Sequence, residues 1–212
     1  IKKRIFVANK SSCSSRMLSR RNVRIKVMQV LYAQSRDEQL TPEDLMKAYR
    51  SSIRNSFELY LYNLLFLVRI AEYASTDLAR RKAKHRPSDE DRAFTARLCE
   101  NEHIQSLLQH AELQKTWRAY KMDKAIDEDT VRLMYQEVAK TPEYQAYLDL
   151  PEPRPEDHIN MLVHVYKVCL NNETYNDIVE DSFPLWTDDE SLITGAMKKT
   201  IRALPAASDF LE

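Results

Sequence analysis

The sequence predicts an all-α, multi-helix bundle, and three observations carry that prediction. Gly195 is the only glycine among 212 residues, so the primed hairpin turns and sheet corners that lean on positive φ have almost nothing to be built from. Apolar residues recur at helical spacing: Leu45, Tyr49, Ile53, Phe57, Tyr60, Leu61, Leu64, Leu67, Val68 and Ala71 fall into register over more than seven turns. Helix-start signals also repeat along the chain, at Thr41-Pro42-Glu43-Asp44, Ser88-Asp89-Glu90-Asp91 and Thr141-Pro142-Glu143. The glycine count excludes function classes as well. A P-loop, a dinucleotide-binding G-x-G-x-x-G and a G-x-S-x-G nucleophile elbow each need at least two closely spaced glycines.

Taken in order, residues 1–16 form a basic, Ser-rich extension, and Met17 is a plausible natural start. A first helix follows from Arg20. Val23, Val27, Val30, Leu31 and Gln34 share one stripe of it and Ile25, Met28 and Tyr32 a neighbouring one, so most of its circumference is expected to face a core. Residues 37–40 read as a loop. Thr41 then caps a long helix expected to run to about Lys84, whose regularly spaced aromatics (Tyr49, Phe57, Tyr60, Tyr62, Phe66, Tyr73) suit core packing better than base stacking. Pro87 breaks the chain and Ser88 restarts it.

Residues 103–120 read as one continuous helix with Ile104, Leu107, Leu108, Ala111 and Trp117 on its buried side. Asp127 is expected to cap the next helix, on which Val131, Met134, Tyr135 and Val138 recur, and Thr141 the one after. Pro151-Glu152-Pro153-Arg154-Pro155 is a stiff break. It separates a basic N-terminal helical half (17–150) from an acidic helical region (151–212) expected to pack on the same core. Three further helices are read at 159–170, 175–179 and 188–204.

Chemistry-bearing constellations are sparse. His103 and His110 lie two turns apart, too far to share an ion, and His158, His164 and Cys169 lack zinc-motif spacing. No nucleophile, base and orienter assemble, so neither an enzymatic activity, a metal nor a cofactor is expected. Cys13, Cys99 and Cys169 form no C-x-x-C pair and fit reduced thiols. The longest apolar run, residues 64–68, is too short to span a membrane. A cytoplasmic location is the expectation.

Charge is the informative feature. The formal net charge is zero, yet residues 1–121 carry +11 and residues 122–212 carry −11. No acid precedes Asp37, while ten lysines and arginines do. Arg20, Arg21 and Arg24 crowd the first turns of the opening helix, with Lys26 beside them. Cations there oppose the helix dipole, so a phosphate ligand explains the arrangement better than stability does. A second basic run, Arg80-Arg81-Lys82-Ala83-Lys84-His85-Arg86, offers Arg81, Lys82 and Lys84 as an extension of the same track; as cations near a helix C-terminus they also suit a solvated end.

Arg20-Arg21-Asn22-Val23-Arg24, followed by Gln29-Val30-Leu31-Tyr32, resembles the opening helix of the NusB family of bacterial transcription antitermination factors. Residues 57–74 (FELYLYNLLFLVRIAEYA) and the polar segment 80–102 are similar to the enlarged N-terminal half of Bacteroidetes-type members. The family's N-E-x-I-E-L-A-K-like and F-V-N-G-x-L-D-like segments do not occur among these 212 residues, so a fragment or divergent form is expected. The resemblance implies a NusB-like bundle that binds boxA-type single-stranded RNA of ribosomal RNA operons. It implies RNA contacts at Arg20, Arg21 and Arg24, with Lys26 as a lesser neighbour, a ribosomal-protein partner (NusE) and work within an RNA polymerase complex. A homodimer covering exposed apolar surface is a further expectation. Two other readings are a helical protein-interaction scaffold without nucleic-acid binding and, more remotely, a module of an RNA-modifying enzyme.

Overall fold

A computed structural model describes residues 19–37, 39–184 and 186–206; the 1–16 extension and Met17 lie outside the described residues. Every regular element among the described residues is helical. The chain divides into two compact units at Phe57/Glu58.

In the first unit, α1 (Arg20–Arg36) is capped by Ser19, whose Oγ accepts from the Asn22 amide at 3.2 Å. The first turns of α2 (Pro42–Lys82) follow. Thr41 and Asp44 cap α2 reciprocally: the Asp44 amide donates to Thr41 Oγ1 at 3.2 Å, and the Thr41 amide to Asp44 Oδ2 at 3.1 Å.

The second unit is organised around the remainder of α2. From Leu59 to Val68 every residue is buried, and Ile70, Ala71 and Ala74 extend that core. A helix apolar on all sides must be enclosed by others, and hydrogen bonds show what encloses it. Trp117, on α6 (Ala111–Ala119), donates its indole N–H to the Leu61 carbonyl at 3.2 Å. Tyr166 and Tyr175, on α10 (Pro155–Leu170) and α11 (Glu173–Ser182), both donate to Asn63 Oδ1, at 3.1 and 2.8 Å. Asn63 in turn donates to the Leu59 carbonyl. Tyr135, on α8 (Glu128–Ala139), reaches Asp77, and Thr200, on α12 (Trp186–Arg202), bonds the Tyr60 hydroxyl at 2.8 Å. Each wrapping helix thus brings a polar tip that satisfies a buried group of α2 while its apolar body excludes water.

Shorter elements complete the unit: α3 (Asp89–Ala93), α4 (Arg97–Glu100), α5 (Glu102–Gln109), α7 (Met122–Ala125) and α9 (Pro142–Asp149). Ser88, Asp127 and Thr141 cap α3, α8 and α9. Residues 103–120 are two helices rather than one. His110 ends α5 and caps α6, its Nδ1 accepting from the Leu113 amide at 3.2 Å. The proline cluster lies inside this unit, and α10, which follows it, packs against α8, α9, α11 and α12.

Candidate nucleic-acid interface

The opening helix departs from expectation in how it uses its faces. Ile25, Met28, Leu31 and Tyr32 are 46, 65, 50 and 65 % exposed, whereas Lys26 is only 3 % exposed. The predicted stripe of Ile25, Met28 and Tyr32 therefore lies on the surface; of the other stripe, Val23, Val30 and Gln34 are half-buried, and Val27 and Leu31 are exposed. Periodicity identified residues that share a face, but not whether anything covers that face.

Arg20, Arg21 and Arg24 are exposed on the first turns of α1. The helix contains no acid, and no carboxylate among the described residues pairs with the three guanidinium groups. Lys26 differs from them: its buried stem withdraws the ammonium from the surface that the arginines share. Farther along, the Arg36 guanidinium lies 5.9 Å from the centre of the Tyr32 ring.

The second basic run is largely committed to ion pairs inside its own unit. Asp77, buried, accepts from Arg80 Nη2 at 2.6 Å and Arg81 Nε at 2.9 Å, and Tyr135 Oη donates to it at 3.2 Å. Burial alone would raise the Asp77 pKa, but the hydrogen bonds from Arg81 and Arg80 outweigh it and hold the carboxyl below its usual range. Lys84 Nζ sits 2.8 and 2.9 Å from the two oxygens of Asp91, which also accepts from the Ser88 amide. These contacts, led by the Lys84 hydrogen bond, pull Asp91 down to about 2. Arg81 also stacks over Phe94 at 4.3 Å. Arg81 and Lys84 thus tie the end of α2 to α3, while Lys82 stays exposed.

A separate cleft of about 490 Å³ opens where α4 and α5 meet the start of α10, lined by Arg97, Glu100, Glu102, Pro155 and His158 among others. Sequence spacing carried no sign of it, because its parts come from distant segments. Arg97 Nη1 is occupied by the Tyr147, Leu148 and Leu150 carbonyls, at 2.8, 3.0 and 2.5 Å, and so closes the C-terminus of α9. His158 Nδ1 lies 2.7 Å from the Tyr147 hydroxyl, and burial lowers the imidazole pKa. His103, behind it, has Nε2 3.3 Å from the Pro155 carbonyl, while its buried Nδ1 has no partner among the described residues. No group of three His, Cys, Asp or Glu side chains among the described residues could hold a metal ion. Cys99 and Cys169 are buried free thiols, and burial pushes Cys169 up to about 12, far from a reactive thiolate.

The chain matches no family model, no curated protein and no solved structure. No helix among the described residues is long and apolar enough to cross a membrane.

Proposed function

We propose that this chain is an all-helical RNA-binding adaptor of transcription antitermination, resembling NusB. It binds boxA-type single-stranded RNA through Arg20, Arg21 and Arg24 and joins a ribosomal-protein partner of the NusE kind in an RNA polymerase complex. One observation carries the reading: three exposed guanidinium groups share the first turns of a helix that contains no acid. The macrodipole disfavours cations at that end, and a phosphate backbone supplies the missing counter-charge. Phosphate contacts of this kind position the strand, and base preference would come from other groups. Of the second run, Arg81 and Lys84 hold acids of their own unit, whereas Lys82 is exposed.

Binding to a boxA-like single strand and to a scrambled control, measured across a salt series, tests the reading. Three neutralised phosphates predict log affinity falling with log salt at a slope of about −2, at roughly −0.7 per phosphate. That slope with a preference for boxA supports the proposal, and an affinity unchanged on replacing all three arginines with alanine refutes it. The exposed apolar residues of α1 favour a protein-interaction role as a second reading.

A further inference from the structure

The outward face of α1 carries more than phosphate binding needs. Arg21, Ile25, Met28 and Tyr32 follow one another at i, i+4, i+7 and i+11, with Arg24 and Leu31 on one border and Arg36 beyond Tyr32. This is the spacing with which one helix packs on another. The charges are distributed unusually: arginines stand at the two ends of the apolar stretch, while its middle is bordered by Val27, Leu31 and Gln29, and Lys26 is turned away and buried.

That distribution selects the occupant. A helix lying in a lipid surface carries cations along its polar face, whereas between Arg24 and Arg36 the only cation of α1 is Lys26, which is buried. Symmetric pairing of two copies would set Arg21 and Arg24 of one chain against Arg36 of the other if antiparallel, or like arginines against each other if parallel; both arrangements repel. Residues 1–18 of the chain contain no carboxylate and residues 207–212 only two, Asp209 and Glu212, against the three arginines. A helix of about four turns, apolar along one side and acidic at both ends, satisfies both the apolar centre and the terminal charges.

We propose that this face of α1 docks an acidic amphipathic helix of another protein. Ile25, Met28, Leu31 and Tyr32 are its apolar seat, and Arg21, Arg24 and Arg36 pair with carboxylates at its two ends. The inference goes beyond RNA binding, because it turns on apolar residues that phosphates do not require.

The test uses the full chain and a designed helical peptide of 15 residues with leucines at heptad spacing and glutamates at both ends. A counterpart carries lysines in place of the glutamates, and binding is read by fluorescence anisotropy. The glutamate peptide is expected to bind at least tenfold more tightly than the lysine peptide. A double variant, Met28→Gln with Leu31→Gln, is expected to lose at least tenfold in peptide affinity while keeping its helical circular dichroism. Both side chains are exposed, so folding does not depend on them. Unaltered boxA RNA affinity in that variant keeps this result separate from the RNA reading. Equal affinity for the two peptides, or binding to neither, overturns the proposal. So does variant-sensitive binding to phosphatidylglycerol vesicles without peptide discrimination, or a variant-sensitive dimer in sedimentation equilibrium.

Discussion

Arg81 and Asp77, one turn apart on α2, form an ion pair of 2.9 Å whose acid is buried and whose base reaches on to Asp91 at 3.4 Å. The pair links the C-terminal end of the central helix to α3, and through the Tyr135 hydroxyl to α8. A basic run that reads in sequence as a phosphate track is thus in good part a structural clasp.

Replacing Asp77 with alanine removes the nearer acceptor of Tyr135 Oη and of Arg81 at a buried position, leaving them the longer 3.4 Å contacts to the Tyr144 hydroxyl and to Asp91. Removing one partner of such a group costs about 3 kcal/mol, far more than an exposed pair is worth. Urea unfolding should show a midpoint lowered accordingly. A loss under about 1 kcal/mol would mean that the clasp contributes little.

Asp91 sets a pH dependence whose sign follows from its depressed pKa. The carboxylate stabilises the fold above about pH 4, where the unfolded chain is already ionised. That contribution fades as pH falls toward the folded-state value of about 2. Wild type should therefore be more stable than Asp91→Asn at neutral pH, with the difference shrinking as pH falls from about 4 to 2. Parallel stability curves over that interval would contradict this account of Lys84 and Ser88.

The Asn63 amide is buried among the apolar residues of α2, with two tyrosine hydroxyls donating to one oxygen. Asn63→Leu would bury both hydroxyls against carbon, at about 1–3 kcal/mol for each group left unsatisfied. Tyr175→Phe removes one donor and leaves the acceptor bonded to Tyr166, so it should cost about 1 kcal/mol. The ordering of the two variants in thermal melts is the check.

The chain's glycine and the left-handed residue among the described residues are in different places. Gly195 sits in the interior of α12, exposed, and a methyl group there would meet nothing within 4 Å. Lys121 takes φ 55° at the start of α7, where its Cβ costs about 1 kcal/mol. Gly195→Ala should stabilise by about 0.5–1 kcal/mol and Lys121→Gly by up to a similar amount. For a chain of this size, each gain is worth a rise of roughly 2–4 °C in Tm per kcal/mol.

Legibility in the sequence followed the range of the interactions. The caps at Thr41, Ser88, Asp127 and Thr141 were readable because side chain and amide lie three residues apart. The burial of residues 59–68 was readable because such an apolar helix has no stable exposed form. His110 was not readable as a break: no glycine or proline marks it, and its capping bond looks like any other histidine's until the chain turns. Nor was the cleft at Arg97, Tyr147 and His158, which tertiary packing alone assembles. At α1 the sequence held the pattern of apolar residues, but the identity of the buried side depends on what lies beside the helix. Lys26 is there the buried member of a row whose three arginines are exposed.

That inequality gives the sharpest test of the candidate interface. If phosphate binding runs through exposed guanidinium groups, Arg24→Ala should weaken RNA binding and reduce the magnitude of the salt slope by about 0.7. Lys26→Met keeps the aliphatic stem and removes a charge that the structure holds away from the surface, so it should leave the slope unchanged and register in thermal stability instead. Equal slope changes in the two variants would mean that the strand reaches the other side of α1. No change in either would remove this helix from the interface and leave its exposed face to protein partners.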